Sequence, residues 1–129
     1  MNDSYIKFLK KLQEETGIQG VGDLLDSMNP LQEKVFMVVR GMGDVEYHTQ
    51  PELKPLVTRT MENLVKIYDM IQEDGTIQGN LRFVLNGMKN DLTTIHYKAD
   101  KESVRNKAFH SLNELKFLDL ELKKQMGEG

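Results

Sequence analysis

Two histidines stand four residues before a carboxylate, the spacing that places both side chains on one face of a helix. The pairs are His110 with Glu114 and His96 with Asp100. Imidazole and carboxylate groups bind zinc and related divalent metals, so each pair is half of a possible metal site. Three histidines and no cysteines are too few for a complete zinc or dinuclear centre. We therefore expect exposed or helix-capping side chains at these positions, and neither a bound metal nor another cofactor.

Nucleophilic chemistry has no pattern of its own in this sequence. The absence of cysteine excludes disulfides, thiolate metal sites and cysteine nucleophiles together. The chain also lacks a Gly-x-Ser-x-Gly elbow, a P-loop and the glycine pattern of dinucleotide-binding folds. No pattern therefore indicates a nucleophile or a phosphate-binding loop, and we predict that the protein is not an enzyme.

Composition places the chain among soluble globular proteins. It is 39% apolar and 29% charged, and its net charge is −3. No apolar run is long enough to cross a bilayer, and the first residues lack a signal-peptide pattern, so we expect a cytoplasmic protein without membrane contact. Residues 82–107 carry six Lys/Arg against three Asp/Glu, a local basic excess in an acidic chain. A solvated helix face is the usual explanation of such an excess, and we do not expect a nucleic-acid partner.

Apolar residues recur at three- and four-residue spacing along most of the chain, which predicts an all-α fold. The predicted helices cover residues 4–15, 21–28, 29–43, 51–74, 81–95 and 104–122. Ser4 and the Asn29-Pro30 pair are helix-start signals, and the 51–74 segment is predicted to be a long central helix. Segments 45–47 and 107–109 contain Val, Tyr or Phe and are predicted as very short strands.

An internal repeat divides the chain into two similar halves. Residues 7–20 match 66–79, residues 25–28 match 85–88, and residues 48–56 match 110–118. The offset changes only from 59 to 62, which one or two small insertions explain. The repeat predicts an N-terminal unit over 1–60 and a C-terminal unit over 61–129.

Residues 68–93 carry the most informative local pattern. An aromatic-Asp pair opens the segment, Gly75-Thr76-Ile77 lies in its loop, and a Leu-Arg-x-Val-Leu run begins at Leu81. In this order the segment resembles the third EF-hand of calmodulin relatives, and most of all that of myosin essential light chains. The resemblance implies two lobes of paired, degenerate EF-hands joined by a long central helix.

Calcium ligands are missing where the family needs them. A binding loop requires oxygen donors at positions 1, 3 and 5 and a bidentate glutamate at position 12. If Gly75 is placed at position 6, position 1 is Met70, position 3 is Gln72 and position 12 is Leu81. In the first half, Lys11 falls at position 1 of the corresponding loop. We therefore predict no calcium-triggered opening.

The light-chain resemblance implies a partner and a set of contact residues. The partner is an IQ-type amphipathic helix in the neck of an unconventional myosin, which the protein covers and stiffens without calcium. Binding is by the helix-in-groove mode; the eight methionines of the chain either give this groove adaptable side chains or fill the core. The predicted partner-helix residues are Phe8, Leu25, Met28, Leu64, Ile67, Leu81, Leu85, Met88 and Leu92.

A second hypothesis does not depend on EF-hands. In it the chain is a repeat-built helical scaffold or regulatory adaptor, and the basic 82–107 stretch contacts RNA or another protein. A short likeness of residues 81–85 to helical-repeat translation scaffolds supports it.

Overall fold

The computed structural model describes residues 3–125, which form α-helices connected by short loops. The helices are α1 (Asp3–Thr16), α2 (Val21–Ser27), α3 (Pro30–His48), α4 (Lys54–Met70), α5 (Leu81–Lys98), α6 (Glu102–Glu114) and α7 (Lys116–Gln125). A 3-10 turn, Pro51–Leu53, leads into α4. Within residues 3–125 there is no strand, and an isolated antiparallel bridge joins Ile71 to Ile77. The all-α prediction is confirmed.

Four helices pack side by side in a closed ring. α3 contacts α4, α4 contacts α5, α5 contacts α6, and α6 returns to α3. α1 lies against α3 and α4, and α7 follows α6. The buried side chains form one continuous cluster, in which Phe36, Met61, Leu85 and Leu92 are among the largest that are fully buried. Burying a side chain of this size contributes about 1.5–3 kcal/mol, so this cluster is the main source of stability.

The predicted boundary between the two halves falls inside α4. Thr60 and Met61 are adjacent in that helix, and both are buried. Residues 1–60 and 61–129 both contribute side chains to the same core cluster. The two-lobe EF-hand arrangement is therefore not confirmed. Helix α4 is also shorter than the predicted 51–74 segment, because the chain leaves the helix after Met70 and enters a hairpin.

Helix α3 begins as predicted and ends later than predicted. Asn29 Oδ1 accepts a hydrogen bond of 2.9 Å from the Gln32 amide, and Gln32 Oε1 accepts one of 3.1 Å from the Asn29 amide, which forms a capping box. The prediction that the helix ends at Gly41 to Gly43 is wrong. The helix continues to His48, because burial of Val45 against the neighbouring helices outweighs the roughly 1 kcal/mol cost of a helical glycine.

The two predicted strands are also wrong. Residues 45–47 lie in α3 and residues 107–109 lie in α6. Val45 and Ala108 are buried on the same helix faces as their neighbours at three- and four-residue spacing, so helical periodicity overrides the strand propensity of Val, Tyr and Phe.

The predicted last helix is divided at Leu115. That residue has φ −78° and ψ −9°, and a tight hydrogen bond of 3.1 Å joins the Leu118 amide to the Leu115 carbonyl. The repeat pairs Leu115-Lys116 with Leu53-Lys54, where the 3-10 turn gives way to α4. Both leucines are buried at a junction between two helical segments, so this part of the sequence repeat has a structural counterpart.

Helix α1 is held at its N-terminal end by a buried glutamate. Glu46 of α3 is 9% exposed and accepts hydrogen bonds from the Ser4 hydroxyl at 2.5 Å and the Ser4 amide at 3.3 Å. A carboxylate at a helix N-terminus satisfies a free amide and interacts favourably with the helix dipole. Further along α1, the rings of Phe8 and Tyr68 meet edge to face at 5.1 Å.

Candidate docking surface

The predicted partner-helix residues lie in the protein's own core. Seven of the nine are 3% exposed or less, namely Phe8, Leu64, Ile67, Leu81, Leu85, Met88 and Leu92. The other two, Leu25 and Met28, belong to the α2 segment and are partly buried against the same core. The structure thus brings most of the set together, but as packing between helices and not as an open groove.

The loop predicted as the third EF-hand loop is a tight hairpin. The Gly75 amide donates to the Gln72 carbonyl at 2.9 Å, and the Gln72 amide donates to the Thr76 carbonyl at 2.8 Å. Gly75 has φ +87°, a left-handed conformation that residues with a Cβ rarely adopt. This pattern is a four-residue turn closed by a glycine bulge, as in short β-hairpins.

Uncharged amide side chains fix this hairpin on two sides. Asn29 Nδ2 donates to the Gln72 carbonyl at 2.8 Å, and Gln32 Nε2 donates to the Ile71 carbonyl at 3.3 Å. From α7, Gln125 Nε2 donates to the Gly75 carbonyl at 2.8 Å and its Oε1 accepts from the Ile77 amide at 3.0 Å. With Gly75 at position 6, the backbone carbonyl that a calcium loop uses is that of Thr76 at position 7, and it already accepts the hydrogen bond from the Gln72 amide.

The hairpin carboxylates also have protein partners or face solvent. Asp74 Oδ1 accepts from the Thr76 hydroxyl at 2.6 Å and from the Thr76 amide at 3.0 Å, and these bonds lower the pKa of Asp74. Among residues 3–125, no three His, Asp or Glu side chains are close enough to hold one ion.

The two His-carboxylate pairs differ in geometry. His110 Nε2 lies 3.5 Å from Glu114 Oε1 on α6, and both side chains are exposed. His96 and Asp100 do not share a helix face, because α5 ends at Lys98 and Asp100 lies in the following turn. The prediction of a shared face is therefore confirmed for the first pair and wrong for the second.

Helix α5 presents two opposite faces. Asn80 Oδ1 accepts from the Phe83 amide at 3.3 Å and caps the helix. The inner face carries the core residues Leu81, Leu85, Met88, Leu92 and Ile95, all 1% exposed or less. The outer face carries exposed Arg82 in its first turn and then a set of exposed, uncharged residues, which we call the α5 face: Phe83, Asn86, Gly87, Asn90, Thr93 and Tyr97.

Aromatic rings mark both ends of the α5 face. Phe83 is 75% exposed and Tyr97 is 78% exposed, the two highest values among the large apolar and aromatic side chains that the structure describes. They are separated by fourteen positions, which is about four helical turns or 21 Å. Single exposed apolar residues are common, but two aromatic rings aligned on one uncharged helix face are typical of a protein-binding surface.

The charged residues beside the centre of the α5 face are paired within the molecule. Arg59 of α4 binds Asp91 through two hydrogen bonds, Nε to Oδ2 at 2.7 Å and the terminal nitrogen to Oδ1 at 2.6 Å. These contacts raise the pKa of Arg59. On the other flank, Lys89 forms an ion pair with Asp119 of α7. A partner on the α5 face therefore meets no unpaired charge near its centre.

Charged residues of both signs lie beyond the ends of the α5 face. Before its start, Glu73 and Asp74 lie exposed in the hairpin, and Arg82 is exposed in the first turn of the helix. At its end, Lys98 and Lys101 lie exposed beside exposed Asp100 and Glu102. The end of α5 therefore has no excess of one charge.

A small aromatic group extends the surface from Tyr97 toward α6. The His96 ring lies 5.0 Å from Tyr97 and 5.2 Å from Phe109, which is 51% exposed. His96 Nδ1 lies 3.0 Å from the carbonyl oxygen of Arg105, which fixes the ring against α6. The rings at this end of the surface are therefore held in place before a partner arrives.

A groove between α3 and α6 is a weaker candidate. Arg40, Lys107 and His110 line it together with Asp44 and Glu114. Charges of both signs face each other across this groove, so it selects neither an anionic nor a cationic ligand.

Comparison of the chain with protein-family models, curated proteins and solved structures found no match. None of the helices within residues 3–125 is long and apolar enough to span a lipid bilayer.

Sequence reasoning missed Phe83 and Tyr97 as surface residues, although a signal for them was present. Both fall on the side of the predicted 81–95 helix, or its extension, that lies opposite the apolar stripe through Leu85 and Leu92. An aromatic residue on the polar side of an amphipathic helix has no core to join, so its position favours a role in binding.

Proposed function

We propose that the protein is a non-catalytic helical adaptor that binds a helix of another protein chain on the α5 face. The observation that carries the proposal is the pair of exposed rings, Phe83 and Tyr97, at the two ends of an uncharged helix face. Large rigid rings provide much of the energy of protein interfaces, because they bury apolar area at a small entropic cost.

The chemistry of the partner helix follows from the uncharged middle of the α5 face. An uncharged side with apolar or aromatic groups matches the middle of the α5 face. At the Tyr97 end, exposed Lys98 and Lys101 lie beside exposed Asp100 and Glu102, so this end selects neither an acidic nor a basic partner.

A peptide titration followed by NMR tests the proposal. The probe is a helical peptide of about 18 residues, the length of α5, with an uncharged Phe/Leu side. We expect amide shift changes concentrated at Asn86, Gly87, Asn90 and Thr93, and a loss of binding in Phe83→Ala and Tyr97→Ala. Leu120→Ala is the matched control, since Leu120 is an exposed apolar residue on α7, at 62%, outside the α5 face. Shift changes on other helices, or equal binding by all variants, would overturn the proposal.

RNA binding through the 82–107 stretch is the other form of the adaptor hypothesis. Single-stranded RNA uses aromatic platforms and cations, and Tyr97, Phe109 and Lys98 are the residues that would supply them. A uridine oligonucleotide added at low and high salt distinguishes the two forms. If the oligonucleotide binds tightly, its affinity falls steeply with salt, and Phe83→Ala binds it as well as the unmodified chain does, the partner is RNA and not a protein helix.

The calcium-independent light chain is the second proposed function. Its support is the resemblance of residues 68–93 and the half-exposed positions of Leu25 and Met28, which a partner reaches without opening the core. Binding through the other seven predicted residues requires the core to open, because those side chains are buried. An IQ-type peptide at two calcium concentrations tests it. The light-chain function is supported if the peptide binds equally at both calcium concentrations and if Leu25→Ala and Met28→Ala weaken this binding. Absence of binding excludes it.

A further inference from the structure

We propose that a cavity between the start of α3, the hairpin of residues 71–77 and the end of α7 binds a small organic cation with an apolar body. We call it the hairpin cavity. None of the described residues that line it belongs to the α5 face, so the inference goes beyond the proposed function.

The hairpin cavity has the size of a small-molecule site. Its volume is about 810 Å³, and the sites that bind drug-sized ligands have volumes of about 300–1,000 Å³. Leu31 of α3, Gly75 of the hairpin and Leu122 of α7 all line it. A Cβ added at Gly75 would have no heavy atom within 4 Å, so the space in front of the hairpin is open. A ligand therefore has both room and access.

Hydrogen bonds within the protein hold the walls of the hairpin cavity in place. Asn29 Nδ2 donates to the Gln72 carbonyl at 2.8 Å and so ties the hairpin to the start of α3. Gln125 Nε2 donates to the Gly75 carbonyl at 2.8 Å and ties the same hairpin to α7. A site with fixed walls loses little conformational entropy when a ligand binds, so these contacts favour affinity.

Apolar side chains form one part of the cavity lining. Leu122 is 6% exposed, and Leu31 and Ile77 are partly buried against the core. Pro30, at the first position of α3, is exposed beside them. An aromatic ring or an alkyl chain is stabilised on such a surface because it leaves water there.

Every charged side chain among the described residues that line the hairpin cavity is a carboxylate. Glu73 and Asp74 come from the hairpin, and Glu121 comes from α7. Within residues 3–125, none of these three takes part in an ion pair. Like charges around a concave apolar surface concentrate the electrostatic potential, so the cavity attracts a cation and repels an anion.

Two lysines line a neighbouring cavity that shares Leu31 and Glu121 with the first. The ammonium group of Lys34 lies over the ring of Phe117, 4.6 Å from its centroid, and Lys124 follows on α7. Neither lysine is among the residues that line the hairpin cavity. The lining of the hairpin cavity therefore keeps its negative charge.

The spacing of the carboxylates favours an organic cation over a metal ion. No three His, Asp or Glu side chains within residues 3–125 are close enough to hold one ion. An ammonium group needs only one or two carboxylates nearby, and the rest of the ligand can lie on the apolar part of the lining. The hairpin cavity thus suits an amphipathic amine.

Three probes separate the effect of charge from the effect of the apolar body. Dansylcadaverine carries a primary ammonium group and a fluorescent aromatic ring on a five-carbon chain. Its N-acetyl derivative keeps the ring and the chain without the charge, and pentylammonium keeps the charge without the ring. We expect dansylcadaverine to bind with a Kd between about 10 µM and 1 mM, and the other two to bind at least about fivefold more weakly.

NMR and fluorescence give the place and the strength of binding. Dansyl emission should increase when the ring leaves water. We expect amide shift changes at Gly75, Thr76, Ile77 and Glu121, which line the hairpin cavity.

Glutamine substitutions test the role of the carboxylates. Glu73→Gln and Glu121→Gln should each weaken dansylcadaverine binding about two- to fivefold, and the double variant should weaken it further. Glu52→Gln is the matched control, because it removes the same charge from an exposed position beyond the other end of α3. Circular dichroism verifies that the variants fold.

The inference is wrong if the N-acetyl derivative binds as tightly as dansylcadaverine, because the cavity then does not select a cation. It is equally wrong if dansylcadaverine shows no binding at 10 mM, if Glu52→Gln weakens binding as much as the other two variants do, or if the shift changes lie on the α5 face. The peptide titration reads the amides of Asn86, Gly87, Asn90 and Thr93. Failure of either proposal therefore leaves the other to be decided by its own experiment.

Discussion

The guanidinium of Arg59 and the carboxylate of Asp91 join α4 to α5 through two parallel hydrogen bonds of 2.7 and 2.6 Å. The two partners differ in their surroundings, since the Asp91 side chain is 11% exposed and the Arg59 side chain is 60% exposed. Planar, two-point pairing of this kind is available to arginine and not to lysine. The pair therefore fixes the register of the two helices beside the α5 face.

We expect Arg59→Ala to destabilise the protein, because it leaves the buried carboxylate of Asp91 without a partner. The stability of Arg59→Lys should lie between those of Arg59→Ala and the unmodified chain, since lysine can form one charged hydrogen bond to Asp91 but not the second. The measurement is the urea midpoint, with Lys66→Ala on the exposed side of α4 as the control. Equal midpoints for Arg59→Ala and Lys66→Ala would show that the pair contributes nothing.

Neighbouring residues on α5 should respond very differently to truncation. Leu85 is fully buried, so Leu85→Ala should cost about 2–5 kcal/mol of unfolding free energy by leaving a cavity. Phe83 is 75% exposed, and Phe83→Ala should change stability by no more than about 0.5 kcal/mol. Chemical denaturation of both variants tests the assignment of the two faces. A large loss from Phe83→Ala together with a small loss from Leu85→Ala would reverse the two faces of the helix.

The contact between Ser4 and Glu46 should control the attachment of α1. Ser4→Ala removes the 2.5 Å hydrogen bond to Glu46 and should cost about 1.5–3 kcal/mol, the usual contribution of a hydrogen bond to a charged group. Because the contact is local, amide exchange in α1 should increase more than exchange in α5. Ser103→Ala is the control, since Ser103 is exposed near the start of α6. Uniform acceleration in all helices would mean that α1 does not detach separately.

Burial against the core, together with Asp69 and Glu15, raises the pKa of Tyr68 from its ordinary value of 10.0 to about 12. The folded state thus favours the neutral phenol, while the unfolded state ionises near pH 10. The contribution of Tyr68 to stability is complete below pH 10 and is lost as the pH rises to about 12. We expect stability to fall less over this range in Tyr68→Phe than in the unmodified chain. The prediction is contradicted if the unfolding free energies of the two proteins fall equally between pH 10 and pH 12. The difference between the ultraviolet absorption spectra of the unmodified chain and Tyr68→Phe gives the ionisation of Tyr68 directly.

The sequence predicted the helices well where local signals agree. The Asn29-Pro30 start signal of α3 and the apolar spacing of α5 are short-range patterns, and the structure follows both. The end of α3 depends instead on tertiary burial of Val45, which no pattern around Gly41 and Gly43 records. Local propensity fails at such positions because packing outweighs the cost of a glycine.

The candidate surface was less predictable than the helices. Apolar residues at helical spacing suit a groove and a core equally, so the pattern of Leu85, Met88 and Leu92 did not show that they pack inside the protein. The basic excess of residues 82–107 was visible in the sequence, but pairing of Lys89 with Asp119 requires α7 to fold back beside α5. Only the three-dimensional arrangement separates paired from unpaired charges.

The side-chain amide contacts to the hairpin of residues 71–77 also affect the timing of folding. Asn29 reaches the hairpin from 43 residues earlier in the chain, and Gln125 reaches it from 50 residues later. During synthesis from the N-terminus, the first of these contacts can form long before Gln125 has been made. The hairpin therefore gains its last hydrogen bonds only when α7 is complete, and a chain shortened before Gln125 should keep the ring of helices but lack the second anchor of this loop.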